Sequence, residues 1–134
     1  MPRTQPDYRT IAEFRYQIRK FLHFSEQAAR LQGLDGQQHQ LLLLLKGLPS
    51  DLQPTVGALA ERLHIRHHSA VELIDRLSSN GYVTRATDVE DGRRVLVRIT
   101  RKGEAVLRKL TRVHQAELSA AGPALLKTLE RLLA

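Results

Sequence analysis

The chain has 134 residues, 42% of them hydrophobic and 26% charged, which suits one ordinary globular domain and excludes both a disordered chain and two separate cores. It has no cysteine, which removes disulfide frameworks, cysteine-ligated zinc, thiol nucleophiles and thiol redox sensing; aromatic residues, at 4%, are too few for platforms that stack single-stranded nucleic acid. Lysine and arginine outnumber aspartate and glutamate by 21 to 14, a formal charge of +7, so polyanions are expected partners, although a basic domain with no nucleic-acid role carries the same charge.

Apolar side chains at Tyr8, Ile11, Phe14, Ile18, Phe21, Leu22, Ala28 and Ala29 recur at three- and four-residue steps and predict an amphipathic helix over 7–31. At about 1.5 Å per residue it spans some 35 Å, more than so short a chain can cover, which points to a second subunit. Asp35 and Gln38 form a capping-box pattern ahead of the five leucines 41–45. That run is far below the roughly 20 residues of a membrane span. It reads instead as a helix apolar on every side, ending near 46–47 and buried as a central post. The opening Met-Pro-Arg-Thr-Gln-Pro-Asp lacks the apolar core of a secretory signal, so a cytoplasmic protein is expected.

Thr55 caps a predicted helix over 56–63, with Val56, Leu59, Ala60 and Leu63 on one stripe. A break at 64–66 leads to a second helix over 67–80, with Ala70, Leu73, Ile74 and Leu77 inward and Gly81 as a left-handed stop. Two short helices, a tight turn and the small Ala60 at their crossing are the makings of a helix-turn-helix. The period then changes to two. Strands over 82–86 and 94–99 flank a polar turn, with Val95, Val97 and Ile99 on one side, Leu96 on the other, and Arg93 and Arg94 at the tip. Thr100 caps a helix over 101–119 whose buried side is Ala105, Val106, Leu107, Leu110 and Val113; Gly122 and Pro123 break it, and a final helix over 123–133 carries five leucines for a second buried surface.

Four stretches in register resemble the MarR family of transcriptional regulators: Thr-Val-Gly-Ala-Leu-Ala-Glu-Arg-Leu at 55–63, His-His-Ser-Ala-Val-Glu-Leu-Ile-Asp-Arg-Leu at 67–77, Gly-Tyr-Val-Thr-Arg at 81–85, and Asp-Gly-Arg-Arg at 91–94 with Ile-Thr-Arg-Lys-Gly at 99–103. The resemblance covers nearly the whole chain. It implies a mainly α (α+β) winged helix-turn-helix over 33–101, its wing a small β-hairpin, and a dimerisation region built from 1–32 and 102–134. It further implies a homodimer on a pseudo-palindromic operator in double-stranded DNA, usually repressing, and often released by a small aromatic or phenolic effector.

A helix entering the major groove reads bases with its leading residues, which marks Arg66, His67, His68, Ser69, Val71 and Glu72, with Arg76 further along. Ser69 also suits a plain helix cap, and Glu72 either accepts from cytosine or only orients Arg76. Arg93 and Arg94 are candidates for the minor groove, with one of them able to pair with Asp91; the resemblance makes Arg93 that partner. Arg62, Arg98, Arg101 and Lys102 are candidate phosphate contacts or solvated surface. Phe14, Ile18, Phe21 and His39 outline an effector pocket, or simple core. His64 and His68 have the spacing of a metal pair, but His64 stands where the turn asks for positive φ, so no metal is expected. No phosphate loop, carboxylate pair or nucleophile motif occurs, so neither an enzyme nor a cofactor is expected. Two other readings share this fold: an architectural protein that binds DNA without sequence preference, and a protein-partner or dimerisation module. Residues 51–100 hold seven arginines and seven acids, so any steering by this segment must come from placement rather than net charge.

Overall fold

In the computed structural model, which describes residues 5–134, the Asp7 carboxylate accepts from the Thr10 amide and starts α1, Tyr8–Leu31. Residues 1–4 of the expected 1–32 dimerisation segment, and of the opening stretch, lie outside the described residues. The remaining elements are α2, Gly36–Gly47; α3, Val56–Leu63; α4, His67–Ser79; β1, Val83–Thr87; β2, Val95–Ile99; and α5, Arg101–Leu133. Side chains cap α2, α3 and α5 where the sequence places Asp35 with Gln38, Thr55 and Thr100. This is a mainly helical winged-helix fold with one two-stranded antiparallel sheet, Val83 opposite Ile99 and Thr87 opposite Val95.

α2 packs against α1, α3, α4, β2 and α5. Leu41 and Leu42 from it, Leu59 from α3, Leu73, Ile74 and Leu77 from α4, Val83, Val97 and Leu110 are almost wholly removed from water, each worth about 2 kcal/mol. α2 is not buried on every side, however. Leu43 is 45% exposed and opens on a groove shared with Lys46, Leu107 and Arg108.

Leu96 lies on the side of β2 opposite Val97, as its alternation predicts, and is buried there too: the amide of Val97 donates to the carbonyl of Pro54 at 2.9 Å and Thr55 bridges Leu96, so the chain ahead of α3 runs beside β2, while Val95 on the Val97 side is 40% exposed. A further sequence expectation is corrected: Pro123 does not end a helix, since α5 runs through it unbroken. Proline removes one backbone bond at a cost of about 3 kcal/mol. Contacts with α1 on both sides hold the helix together: His114 bonds Ser25, and Gln17 bonds Thr128.

Candidate nucleic-acid interface

The turn between α3 and α4 closes on His64, at φ 54 the one non-glycine residue with positive φ among the described residues. Its amide donates back to the carbonyls of Ala60 and Glu61, and the Ile65 amide donates to Ala60, so the backbone role read for His64 is the one it has. Among the described residues no three His, Asp or Glu side chains are grouped to hold a metal ion. Nor is any described helix long and apolar enough to cross a membrane.

Ala70, Leu73, Ile74 and Leu77 anchor α4, which leaves Arg66, His67, His68, Glu72 and Arg76 exposed and Ser69 and Val71 half-buried. The start of α4 differs from the other four helices. Arg66 stands at its N-cap in extended conformation with no side-chain cap, so the first-turn amides, Ser69's among them, have no side-chain acceptor. Ser69 itself sits inside the first turn and does not cap the helix. An uncapped helix start beside Arg66, His67 and His68 presents free N–H donors and positive potential together. Arg76 turns backward, its guanidinium 3.9 Å from Asp35 at the start of α2, and Glu72 joins no ion pair among the described residues.

The wing divides its two arginines. Arg94 donates from Nε and Nη2 to one oxygen of Asp88 at 3.0 and 2.7 Å, while the other oxygen accepts from the Glu90 amide. The Asp88 amide also donates to the Arg94 carbonyl, tying the hairpin's neck by backbone as well. These hydrogen bonds, Arg94 first, hold the Asp88 carboxyl below the usual aspartate range and raise the Arg94 guanidinium. Arg93 reaches Asp91 at 3.2 Å as the resemblance implies, yet its side chain stays 92% exposed at the tip. Arg85 pairs with Asp75 between β1 and α4. Three of the segment's seven acids are thus engaged internally, while Arg62, Arg66 and Arg98 enter no ion pair among the described residues.

The base of the wing is stitched to α5. Thr100 donates its hydroxyl to the Gly81 carbonyl, its amide donates to the Tyr82 carbonyl, and Lys102 donates to Asn80 while lying 4.6 Å from the centre of the Tyr82 ring. Lys102 therefore serves the fold, whereas Arg101 is free on the surface.

Of the four effector candidates, Phe21 and His39 meet at a residue the sequence reading missed, His114: the Phe21 ring stands edge-on to it at 5.8 Å and the His39 ring lies 4.7 Å away. Ile18 lines a groove of about 520 Å³ between α1 and α5 with Phe21, and Phe14 belongs to neither the cluster nor that groove. His39 is buried with no partner at Nδ1, and burial, then His114, push it down to about 4. The spacing Leu107, Leu110, His114 continues the buried stripe of α5 and was the available signal; Val113, taken for that stripe, is 45% exposed.

A helix-turn-helix followed by an arginine-tipped hairpin defines a winged-helix protein. Residues 32–94 match the model of the MarR family. The HTH-type transcriptional repressor YetL of Bacillus subtilis is 30% identical over 103 residues, 76% of this chain; the chain spans 60% of that protein's length. A MarR family protein from Bacillus stearothermophilus shares the fold with a TM-score of 0.73 at 23% identity, over 87% of this chain and 81% of its own. So does a variant of S. aureus MepR bound to an oligodeoxyribonucleotide, with a TM-score of 0.68 at 18% identity, over 95% of this chain and 97% of its own.

Proposed function

We propose that the protein is a transcriptional repressor that binds double-stranded DNA as a homodimer, with α4 in the major groove and the wing beside it. The observation that carries this is the uncapped, exposed start of α4, flanked by Arg66, His67 and His68, next to a hairpin whose neck is clamped and whose tip holds Arg93 in solvent. MepR bound to DNA and the repressor YetL are in keeping with it. In this reading His67, His68, Ser69, Val71 and Glu72 face base edges, Arg93 enters the minor groove, Arg66 binds phosphate, and Arg94 and Arg76 position what surrounds them. Tyr8 at 79%, Ile11 at 49%, Leu126 at 58% and Leu133 at 76% exposure leave apolar surface toward the far ends of α1 and α5, which a second copy would cover. The regions 1–32 and 102–134 then form the dimer lobe, the two reading helices meet half-sites about 34–36 Å apart, and the dimer works in the cytoplasm.

Selection of sites from random duplex tests this. A pseudo-palindrome should emerge, bound by a dimer in sedimentation, with affinity falling by a log-log slope of about 0.9 per phosphate neutralised as salt rises. Equal affinity for unrelated duplex points to an architectural protein, and no duplex binding points to a protein-partner module; an affinity indifferent to salt removes the electrostatic part.

The same reading gives an effector site around Phe21 and His39, where a phenol hydroxyl would donate to His39 Nδ1, or an aromatic carboxylate accept from it, and so partner an atom that has none. Aromatic acids should raise the melting temperature and release DNA; if none of a panel does either, the effector site is discarded.

A further inference from the structure

Where α1, α2 and α5 meet, two imidazoles are treated differently. His114 is held at both nitrogens. Its Nδ1–H donates to the Leu110 carbonyl at 2.6 Å, which fixes the tautomer in which neutral Nε2 accepts from the Ser25 hydroxyl at 2.7 Å. A proton added there keeps both contacts, because Nε2–H can donate to the same Ser25 oxygen. His39 has no such provision: 3% exposed, against the His114 ring, it has no partner at Nδ1. On the α1 side of the pair, the uncharged Phe21, Phe24 and Ser25 contact His114, and Glu26 of α1 is engaged by Arg30. Glu104 of α5 is engaged by Lys46, and Asp35 of α2 lies by Arg76. Among the described residues His39 joins no ion pair. Neutral, it is filler; protonated, it is a cation whose Nδ1–H is buried with no acceptor, beside a second imidazole.

We propose that His39 is an acid-operated latch: protonation drives its ring away from His114, loosens the first turns of α2 and so releases the back of α4. The link is Asp35, one turn before His39, which caps α2 and also lies 3.9 Å from Arg76 of α4. Burial and His114 hold the packed His39 down to about 4 against an ordinary 6.5, so the closed state keeps its full stability above about pH 6.5 and loses it as pH falls toward 4. By pH 5 the balance between opened and closed forms shifts about 30-fold toward opening. The latch rests on the DNA-binding reading only for its output.

Amide hydrogen exchange at about pH 7.5 and about pH 5, corrected for intrinsic rates, tests it on the full chain, with His39→Phe and the smaller His39→Leu as paired variants. In the wild type, protection in the first turns of α2 and in α4 should drop up to about 30-fold at the lower pH, while in either variant it should hold. On duplex, the wild type should weaken relative to the variants at the lower pH. Identical pH profiles in wild type and variants overturn the latch, as does a wild-type loss spread evenly over all elements. If no duplex binds even at neutral pH, the DNA-binding reading fails while exchange still decides the latch.

Discussion

Gly103→Ala is expected to lower the unfolding free energy by roughly 2–3 kcal/mol, although alanine is the better helix former by about 1 kcal/mol. A Cβ at Gly103 would lie 2.3 Å from the Tyr82 carbonyl oxygen and 2.7 Å from Cγ1 of Ile99. The first is backbone and cannot step aside, because that oxygen already accepts the Thr100 amide at 3.0 Å and the Tyr82 amide donates to Leu77 at 2.9 Å. Relief must come from moving the start of α5 off the base of the wing, which also breaks the Thr100 cap on the Gly103 amide. Gly57→Ala in α3 is the contrast: nothing lies within 4 Å of its Cβ, so only the helix preference remains and stability should rise by up to about 1 kcal/mol. Urea unfolding of both variants against the wild type decides the matter. A Gly103→Ala midpoint equal to or above the wild type would mean that the tight seam is not what the Ile-Thr-Arg-Lys-Gly stretch encodes.

This seam marks how far sequence reasoning reaches. Helix starts were legible because capping is local: Asp35 with Gln38, Thr55 and Thr100 each announce an element within four residues, and His64 and Gly81 stand where a left-handed backbone ends a helix. The reading stripe of α4 followed from spacing alone. What failed or went unread depended on partners distant in the chain. Pro123 was overruled by contacts with α1, the second buried face of β2 comes from Pro54 and Thr55, and Arg76 went to Asp35 rather than to its neighbour Glu72. The wing lies between these cases. Two arginines at its tip are evident in sequence, but which one is clamped depends on register: the backbone pair of Asp88 with Arg94 sets the carboxylate opposite that guanidinium and leaves Arg93 outside.

That division of labour gives the second large effect. Arg93→Ala should weaken duplex binding by about 1–2 kcal/mol per half-site, roughly tenfold or more for each, with no change in unfolding midpoint, since the side chain is 92% exposed. Arg94→Ala should weaken binding by a different route. It strips both side-chain hydrogen bonds from Asp88, and amide protection across 88–94 should fall with the affinity. If Arg94 acts by holding the tip that aims Arg93, the double variant binds about as well as the worse single one; additive losses would instead put Arg94 itself on the DNA. The clamp also has a pH signature. Because the folded Asp88 carboxyl titrates below its ordinary value near 3.8, its contribution is complete above about pH 4 and is lost only as pH falls further. A loss of DNA affinity between about pH 7.5 and pH 5 therefore does not come from the clamp, whereas protonation of His39 would weaken binding there. Comparing wild type with His39→Phe over that range isolates the His39 contribution, and Arg94→Ala should leave that difference unchanged.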